Sequence, residues 1–420
     1  MKKSLRVLRM AFLLITISIF RLSASAQTTM AADSVVMGPS YSNEVYYSMQ
    51  NGVVSTYPRD SWDIAFRTMI MSSSIITNDG RGVVLYTYPR ADTSGWATVD
   101  TAGFQTWSRM FNGTNDWENG AFMTHAKGGL DFGWGIYNTN NHFITGDSLY
   151  VIQLRDGSFR KLWMQVKKAG EDIYIFKYAH LDGTGEQDVT LNCNNYLTKE
   201  FVGYSLETDT IVDFQPEKSS WDIVFTKYIA PEPPDTVYNF MGIENNANVY
   251  ARKFMPVAPN FTGYNPFAWD STKIAIGHDW KSFTNSAWVL TDSLAYFVKS
   301  KAGDVYKFVI TKYEGSSTGK IVFMKSKIAG VGIDEQSATA IPVMVYPNPA
   351  TDQVHITFAP QNEETQLVIT DLTGRTLFTE KLPAQSGQVS VNSSGFASGI
   401  CILKISSGTR TSVNKIIISR

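Results

Sequence analysis

Alternation of apolar and polar positions, rather than a 3.6-residue period, runs through this chain and predicts strands throughout. The clearest case is Ser61-Trp62-Asp63-Ile64-Ala65-Phe66, which returns as Ser220-Trp221-Asp222-Ile223-Val224-Phe225. Each copy reads as a strand with one wet end and one buried face. Two near-identical copies indicate an internal duplication, and other matches follow in order. Tyr47-Ser48-Met49 answers Tyr204-Ser205-Leu206, and Asp147-Ser148-Leu149 answers Asp292-Ser293-Leu294. Gly157 to Met164 answers Gly303 to Ile310, keeping Lys161 opposite Lys307, and Tyr174-Ile175-Phe176 answers Ile321-Val322-Phe323. Asn51-Gly52 and Asp156-Gly157 are hairpin turn signals, and Asn78-Asp79-Gly80-Arg81-Gly82 is a tight turn or loop. No long amphipathic helix is predicted. The fold class is all-β.

The pattern changes near Ala329-Gly330-Val331-Gly332, which begins a linker. Beyond it, residues 353–358, 365–371, 376–382, 388–392, 400–405 and 411–418 read as short strands with Gly-rich turns, the sequence form of a β-sandwich. The expected organisation is an export signal at 1–26, a first β domain at 27–187 and a second at 188–329. A linker at 330–342 and a C-terminal domain at 343–420 complete it.

Composition narrows the function. The 420 residues carry a net charge of −1 and a pI near 6.5, which leaves no electrostatic footprint for nucleic acid. Charged residues are only 18%, and 20 Tyr, 24 Phe and 10 Trp favour a β-rich extracellular protein. Lys2, Lys3, Arg6 and Arg9 precede an apolar run from Met10 to Phe20 that is too short to span a bilayer. Ala24-Ser25-Ala26 follows, which predicts cleavage between Ala26 and Gln27. No later stretch is apolar for long enough to predict an integral membrane segment in the mature chain. Cys193 and Cys401 fall in different predicted domains and read as buried thiols rather than a bridge.

Catalytic chemistry finds little support. None of the five His stands at metal-binding spacing. Gly315-Ser316-Ser317-Thr318-Gly319 matches the nucleophile-elbow spacing but lies between two predicted strands, so a hairpin loop is expected. The residues therefore point to a non-enzymatic binding protein.

Two resemblances sharpen that reading. Tyr346-Pro347-Asn348-Pro349-Ala350, Val354-His355-Ile356, Asp371-Leu372-Thr373-Gly374-Arg375, Ser398-Gly399-Ile400 and Asn414-Lys415-Ile416-Ile417-Ile418 resemble the type A sorting domain of the type IX secretion system. This resemblance implies an immunoglobulin-like sandwich, passage through the periplasm, the type IX translocon as partner, and a secreted or outer-membrane-surface destination. Its motif residues here are Tyr346, Pro347, Asn348, Pro349, Gly374, Gly399 and Lys415. More loosely, Trp62 to Phe66, Ile76 to Gly82 and the hairpin carrying Gly157, Lys161 and Tyr174-Ile175-Phe176 resemble the HmuY family of secreted haem-binding proteins. That resemblance implies two tandem HmuY-like β domains and haem held by axial His or Met. Asn138 and Thr284 stand about where the ligands should be, and neither binds iron well. His142, His125, Met123 and Met110 are the candidates to substitute. Haem or another small apolar ligand is the leading expectation, with glycan or protein recognition by an adhesive surface protein as the alternative.

Overall fold

A computed structural model describes residues 30–70, 72–232, 236–257, 261, 263, 269–329, 341 and 343–419. The expected signal, its Ala26/Gln27 cleavage point and nearly all of the expected linker lie outside the described residues. The fold is all-β, built from antiparallel sheets in three sandwiches with separate cores.

The first sandwich packs a four-stranded sheet on a larger one. The four-stranded sheet runs in the order Thr210–Val212, Phe201–Ser205, Ile64–Arg67, Ile75–Thr77. The facing sheet runs Gln187–Asn192, Ile173–Ala179, Phe159–Lys168, Tyr150–Gln153, Val84–Thr87, Arg109–Met110. A hairpin, Gly135–Asn138 with Phe143–Gly146, joins the far end of the Phe159–Lys168 strand. Period-2 alternation sends Ile64, Phe66, Leu162, Met164, Tyr174 and Phe176 into the shared core.

The second sandwich repeats the order of the four-stranded sheet and of five strands of the facing sheet, but not from one continuous segment. Its four-stranded sheet is Gly52–Pro58, Asn43–Ser48, Ile223–Glu232, Thr236–Asn245. Its five-stranded sheet is Ala31–Val36, Lys320–Ala329, Val305–Tyr313, Ala295–Lys299, Tyr250–Phe254. The N-terminal strands therefore close the second sandwich, and the strands at 187–212 close the first. Sheet hydrogen bonding thus divides the chain differently from the expected 27–187 and 188–329. The continuous first sandwich spans about 62–217, and residues 31–58 belong with 221–329.

Two buried aspartates fix this closure. The Asp63 carboxylate accepts from the Leu206 amide at 2.7 Å, and Asp222 accepts from the Met49 amide at 2.8 Å. The backbone repeats the arrangement, since Asp63 N donates to Tyr204 O and Asp222 N donates to Tyr47 O. Asn78 and Asn246 also correspond, each donating through Nδ2 to the carbonyl of Trp62 or Trp221. The paired tripeptides Tyr47-Ser48-Met49 and Tyr204-Ser205-Leu206 are therefore the docking ends of the closing hairpins. Each serves the Trp-Asp strand that lies farther along the chain or far behind it.

Predicted turns appear where the sequence placed them. Gly52 and Gly157 take φ of +85° and +87° in their hairpins, a region where only glycine is unstrained. Gly315 to Ser317 form a short 3-10 turn between Val305–Tyr313 and Lys320–Ala329, so the Ser of the formal elbow motif sits in a hairpin loop. Both cysteines are free and buried, and burial pushes the Cys193 thiol up to about 12.

The C-terminal sandwich pairs Val343–Tyr346, Gln353–Phe358 and Gln388–Asn392 in one sheet. The other holds Thr376–Leu382, Thr365–Asp371, Gly399–Ser407 and Arg410–Ile418. Ile341, expected in the linker, is buried in this core. Asn348 ties the ends of the sandwich together, donating to Lys415 O at 2.9 Å and accepting from Ile417 N at 2.7 Å. Gly374 sits in the turn organised by Asp371, whose carboxylate accepts from the Thr373 and Arg375 amides. Gly399 opens its strand at φ +140°, Tyr346 leans on His355, and Lys415 points to solvent.

Candidate functional site

The four candidate haem residues do not form one site. Met110 is 1% exposed in the first core, where its sulfur accepts from the Thr87 hydroxyl at 3.2 Å. Met123 packs against that same core. His125 is exposed beside a 3-10 turn. His142 is exposed at the tip of the 135–146 hairpin, with Nδ1 at 2.7 Å from the Tyr137 hydroxyl. Two of the four are thus occupied as core filler, the common fate of Met, and the two His lie on separate exposed loops. Among the described residues, no group of three or more His, Cys, Asp or Glu is placed to hold a metal ion.

Two other places gather chemistry. The first is the seam where the four-stranded sheets of the two sandwiches pack face to face. The Trp-Asp strands are buried on both faces, not one. Ile64 and Phe66 point into the first core, while Ala65 joins Trp62, Ile76, Phe201 and Phe214 on the outer face. Ile223 and Phe225 point into the second core, while Val224 joins Trp221 and Tyr46 outside it. Trp62 stacks on Phe214 at 4.6 Å, and Trp221 meets Tyr46 edge-on at 4.9 Å. Trp117, half-buried, packs against both outer clusters and donates through Nε1 to Asn245 O at 2.9 Å.

Polar groups complete the seam. Asn239 Nδ2 donates to Gly80 O, and the Lys273 amide donates to Asn115 O. Lys301 and Glu200 pair across it at 3.0 Å. Gly80 lies so close to the Lys227 carbonyl that a Cβ would sit 1.9 Å from its oxygen. Gly80→Ala is therefore expected to cost roughly 1–3 kcal/mol, read as a lower denaturation midpoint, and an unchanged midpoint would show that the contact can relax. A cavity of ≈ 50 Å³ remains inside, walled by Glu44, Asp79, Trp117, Gln215, Glu244 and Lys273. Burial pushes the Glu44 carboxyl up to about 7 and that of Asp79 up to about 6. It also lowers the Arg59 guanidinium to about 10.

The second place is an aromatic band on the second sandwich. Lys281–Thr284 and Ala287–Leu290 form a hairpin that starts just after the buried Trp280, as the 135–146 hairpin starts just after the buried Trp134. Asn285 and Ser286 turn it with positive φ, and Phe283 and Trp288 face each other across it. Phe283 is 62% exposed and Trp288 42%, with ring centres 5.1 Å apart. Trp288 is braced by Tyr313 at 5.2 Å, and Tyr313 by Trp280 at the same distance. Lys281 lies beneath, its ammonium 3.9 Å from the Trp280 ring centre and donating to Met241 O at 2.6 Å. Burial lowers Lys281 to about 7, well below the ordinary lysine value. His278 stacks at 3.6 Å on Phe240 of the Thr236–Asn245 strand, which also carries the exposed Tyr238. Thr284, which the HmuY resemblance places about where a ligand should be, lies on this hairpin between Phe283 and the turn. The Asn285-Ser286 turn between Phe283 and Trp288 was the available signal for the exposed pair.

Comparison with known proteins bears on the C-terminal part. Residues 344–419 match the family described as "Secretion system C-terminal sorting domain". No curated protein matches the chain. Among solved structures, a "Biofilm associated protein - BSP domain" is 10% identical over 94% of this chain and 68% of its own, with a TM-score of 0.20. "Dimeric latent PorU from Porphyromonas gingivalis" is 9% identical over 89% of this chain and 40% of its own, with a TM-score of 0.19. Neither similarity is high enough to support an argument, and neither carries the HmuY resemblance. Among the described residues, no helix is long and apolar enough to cross a membrane. The chain ends in a type IX secretion sorting domain, which gives it a secreted or outer-membrane-surface location.

Proposed function

We propose that this exported chain is a non-enzymatic binding protein, and that the aromatic band of its second sandwich recognises a neutral saccharide. The observation that carries the reading is the Phe283–Trp288 pair, exposed yet held in place by Tyr313 and Trp280. Large rings fixed at the surface give up little conformational entropy on binding, and they offer flat apolar faces to the C–H side of a sugar ring. Ser282, Thr284, Asn285 and Ser286, all exposed around the rings, supply hydrogen-bonding groups without charge. That combination suits a neutral, amphipathic ligand better than a porphyrin, which needs an axial donor.

The test is an array of neutral oligosaccharides probed with the full chain, with haemin titrated in parallel. Binding to one glycan class is expected, weakened about tenfold or more by Trp288→Ala or Phe283→Ala, a loss of about 1.4 kcal/mol or more. Absence of glycan binding, or binding indifferent to both substitutions, would overturn the assignment. A Soret shift with haemin would replace it with the haem reading.

A further inference from the structure

We propose that the seam between the two sandwiches is a proton-sensitive joint, in which Glu44 and Asp79 hold protons while the faces are packed and release them as the faces part. The two carboxyls come from opposite sides. Glu44 lies on the Asn43–Ser48 strand that closes the second sandwich, and Asp79 lies in the 78–82 turn of the first. Both are almost wholly enclosed, at 6% and 5% exposure. Among the described residues, neither lies within ion-pair distance of a cation.

Enclosure away from water and the like charge of Glu244 oppose ionisation of both carboxyls, while the hydrogen bonds they accept and the nearby cations favour it. Glu44 accepts from the Tyr46 hydroxyl at 3.0 Å and the Thr226 hydroxyl at 3.3 Å, and Asp79 accepts from the Asn112 amide at 3.0 Å. Glu44 also faces Arg59 and Glu244, while Asp79 faces Lys273 and Glu244. Lys273 is already paired with Glu244 at 3.2 Å and lies over the Trp117 ring. Arg59 donates through Nη1 to Tyr41 O at 3.2 Å and feels Asp60, Arg81 and Asp79 as well as Glu44. Neither the donated hydrogen bonds nor the nearby cations outweigh the loss of water around the two carboxyls, which titrate above their ordinary values.

The sign follows from linkage. In the packed state both carboxyls titrate above their ordinary values of 4.5 and 3.8. When the faces part, water returns and the ordinary values are restored, so the packed state binds more protons between about pH 4 and 7. Packing is then favoured at the acid end of that window and weakens as pH rises through it. An opened seam would expose Trp62, Trp221, Trp117 and Tyr46, a broad aromatic surface hidden in the packed form.

Hydrogen exchange of the full chain from pH 5 to 8, corrected for the intrinsic rate of amide exchange, tests this. Protection of segments 43–48, 75–81, 112–119 and 223–229 is expected to fall about tenfold or more across that range. The core strands 159–168 and 305–313 should stay protected and so report that both sandwiches remain folded. Glu44→Gln combined with Asp79→Asn should flatten the seam profile, and Glu44→Gln alone should reduce its slope. A flat profile in the unmodified chain, or the same slope in the double variant, would overturn the proposal.

Discussion

Deleting residues 30–58 is expected to unfold the second sandwich and leave the first folded. The deleted segment supplies three of its strands, including the edge strand paired along Lys320–Ala329 and the partner of Ile223–Glu232. It also contributes Val35, Met37, Val45, Tyr47 and Met49 to the second core. Each such side chain is worth about 1.5–3 kcal/mol of burial, so their joint loss is on the order of 10 kcal/mol, comparable to a whole domain's stability. The first sandwich draws all its sheet strands from 64–212 and loses only seam contacts. Limited proteolysis of the truncated chain should therefore release a resistant fragment near 62–217 and degrade 223–329. Protection of both regions would show that the second sandwich can close without its N-terminal strands. Asp222→Ala should be a milder version of the same lesion. It removes an acceptor that serves the buried Met49 amide and the partly buried Lys301 amide, at a cost of roughly 1–3 kcal/mol.

Removing residues 343–420 is expected to stop export at the periplasm. The whole matched sorting domain lies within that segment, and its sandwich has its own core. Fractionation with an antibody to the first sandwich should find the truncated chain in the periplasm and the complete chain at the surface or in the medium. Normal export of the truncated chain would contradict the sorting assignment. Asn348→Ala should give a partial defect. Asn348 is the bracket between the opening Tyr-Pro-Asn-Pro segment and the last strand, and losing both of its hydrogen bonds should cost about 1–3 kcal/mol.

Sequence and structure agree best where one face of each strand stays wet. In the C-terminal sandwich, 353–358, 365–371, 376–382 and 388–392 are strands at the residues that alternation indicated. Alternation survives there because outward positions remain in water. It fails at Ile64–Arg67, where all four residues are buried because the outer face meets another sandwich. A strand pattern cannot report a second burial surface made by residues far away in sequence.

The duplication was legible, but its phase was not. Two copies in tandem look alike whether each closes itself or is closed by the next. What decides is which aspartate, Asp63 or Asp222, receives the amide of Met49, and that is a long-range contact. The candidate site was less legible still. Met110 and Met123 follow the ordinary preference of Met for apolar packing, and His142 stands on a hairpin tip paired with Tyr137. The exposed Phe283 and Trp288 carry no motif, since exposure depends on what fails to pack against a side chain.

The N-terminal closure also sets an order of assembly. Among the described residues, Ala31–Val36 is the first strand in sequence, and its partner Lys320–Ala329 is the last strand of the two-sandwich body. Everything between them, including a complete first sandwich, can fold while that first strand waits unpaired. The second sandwich is therefore complete only when both 31–36 and 320–329 are in place. The segment at 31–36 is thus a fastening that can be made only with the segment at 320–329, so a chain cut anywhere between them would have to hold its ends together to keep the second sandwich closed.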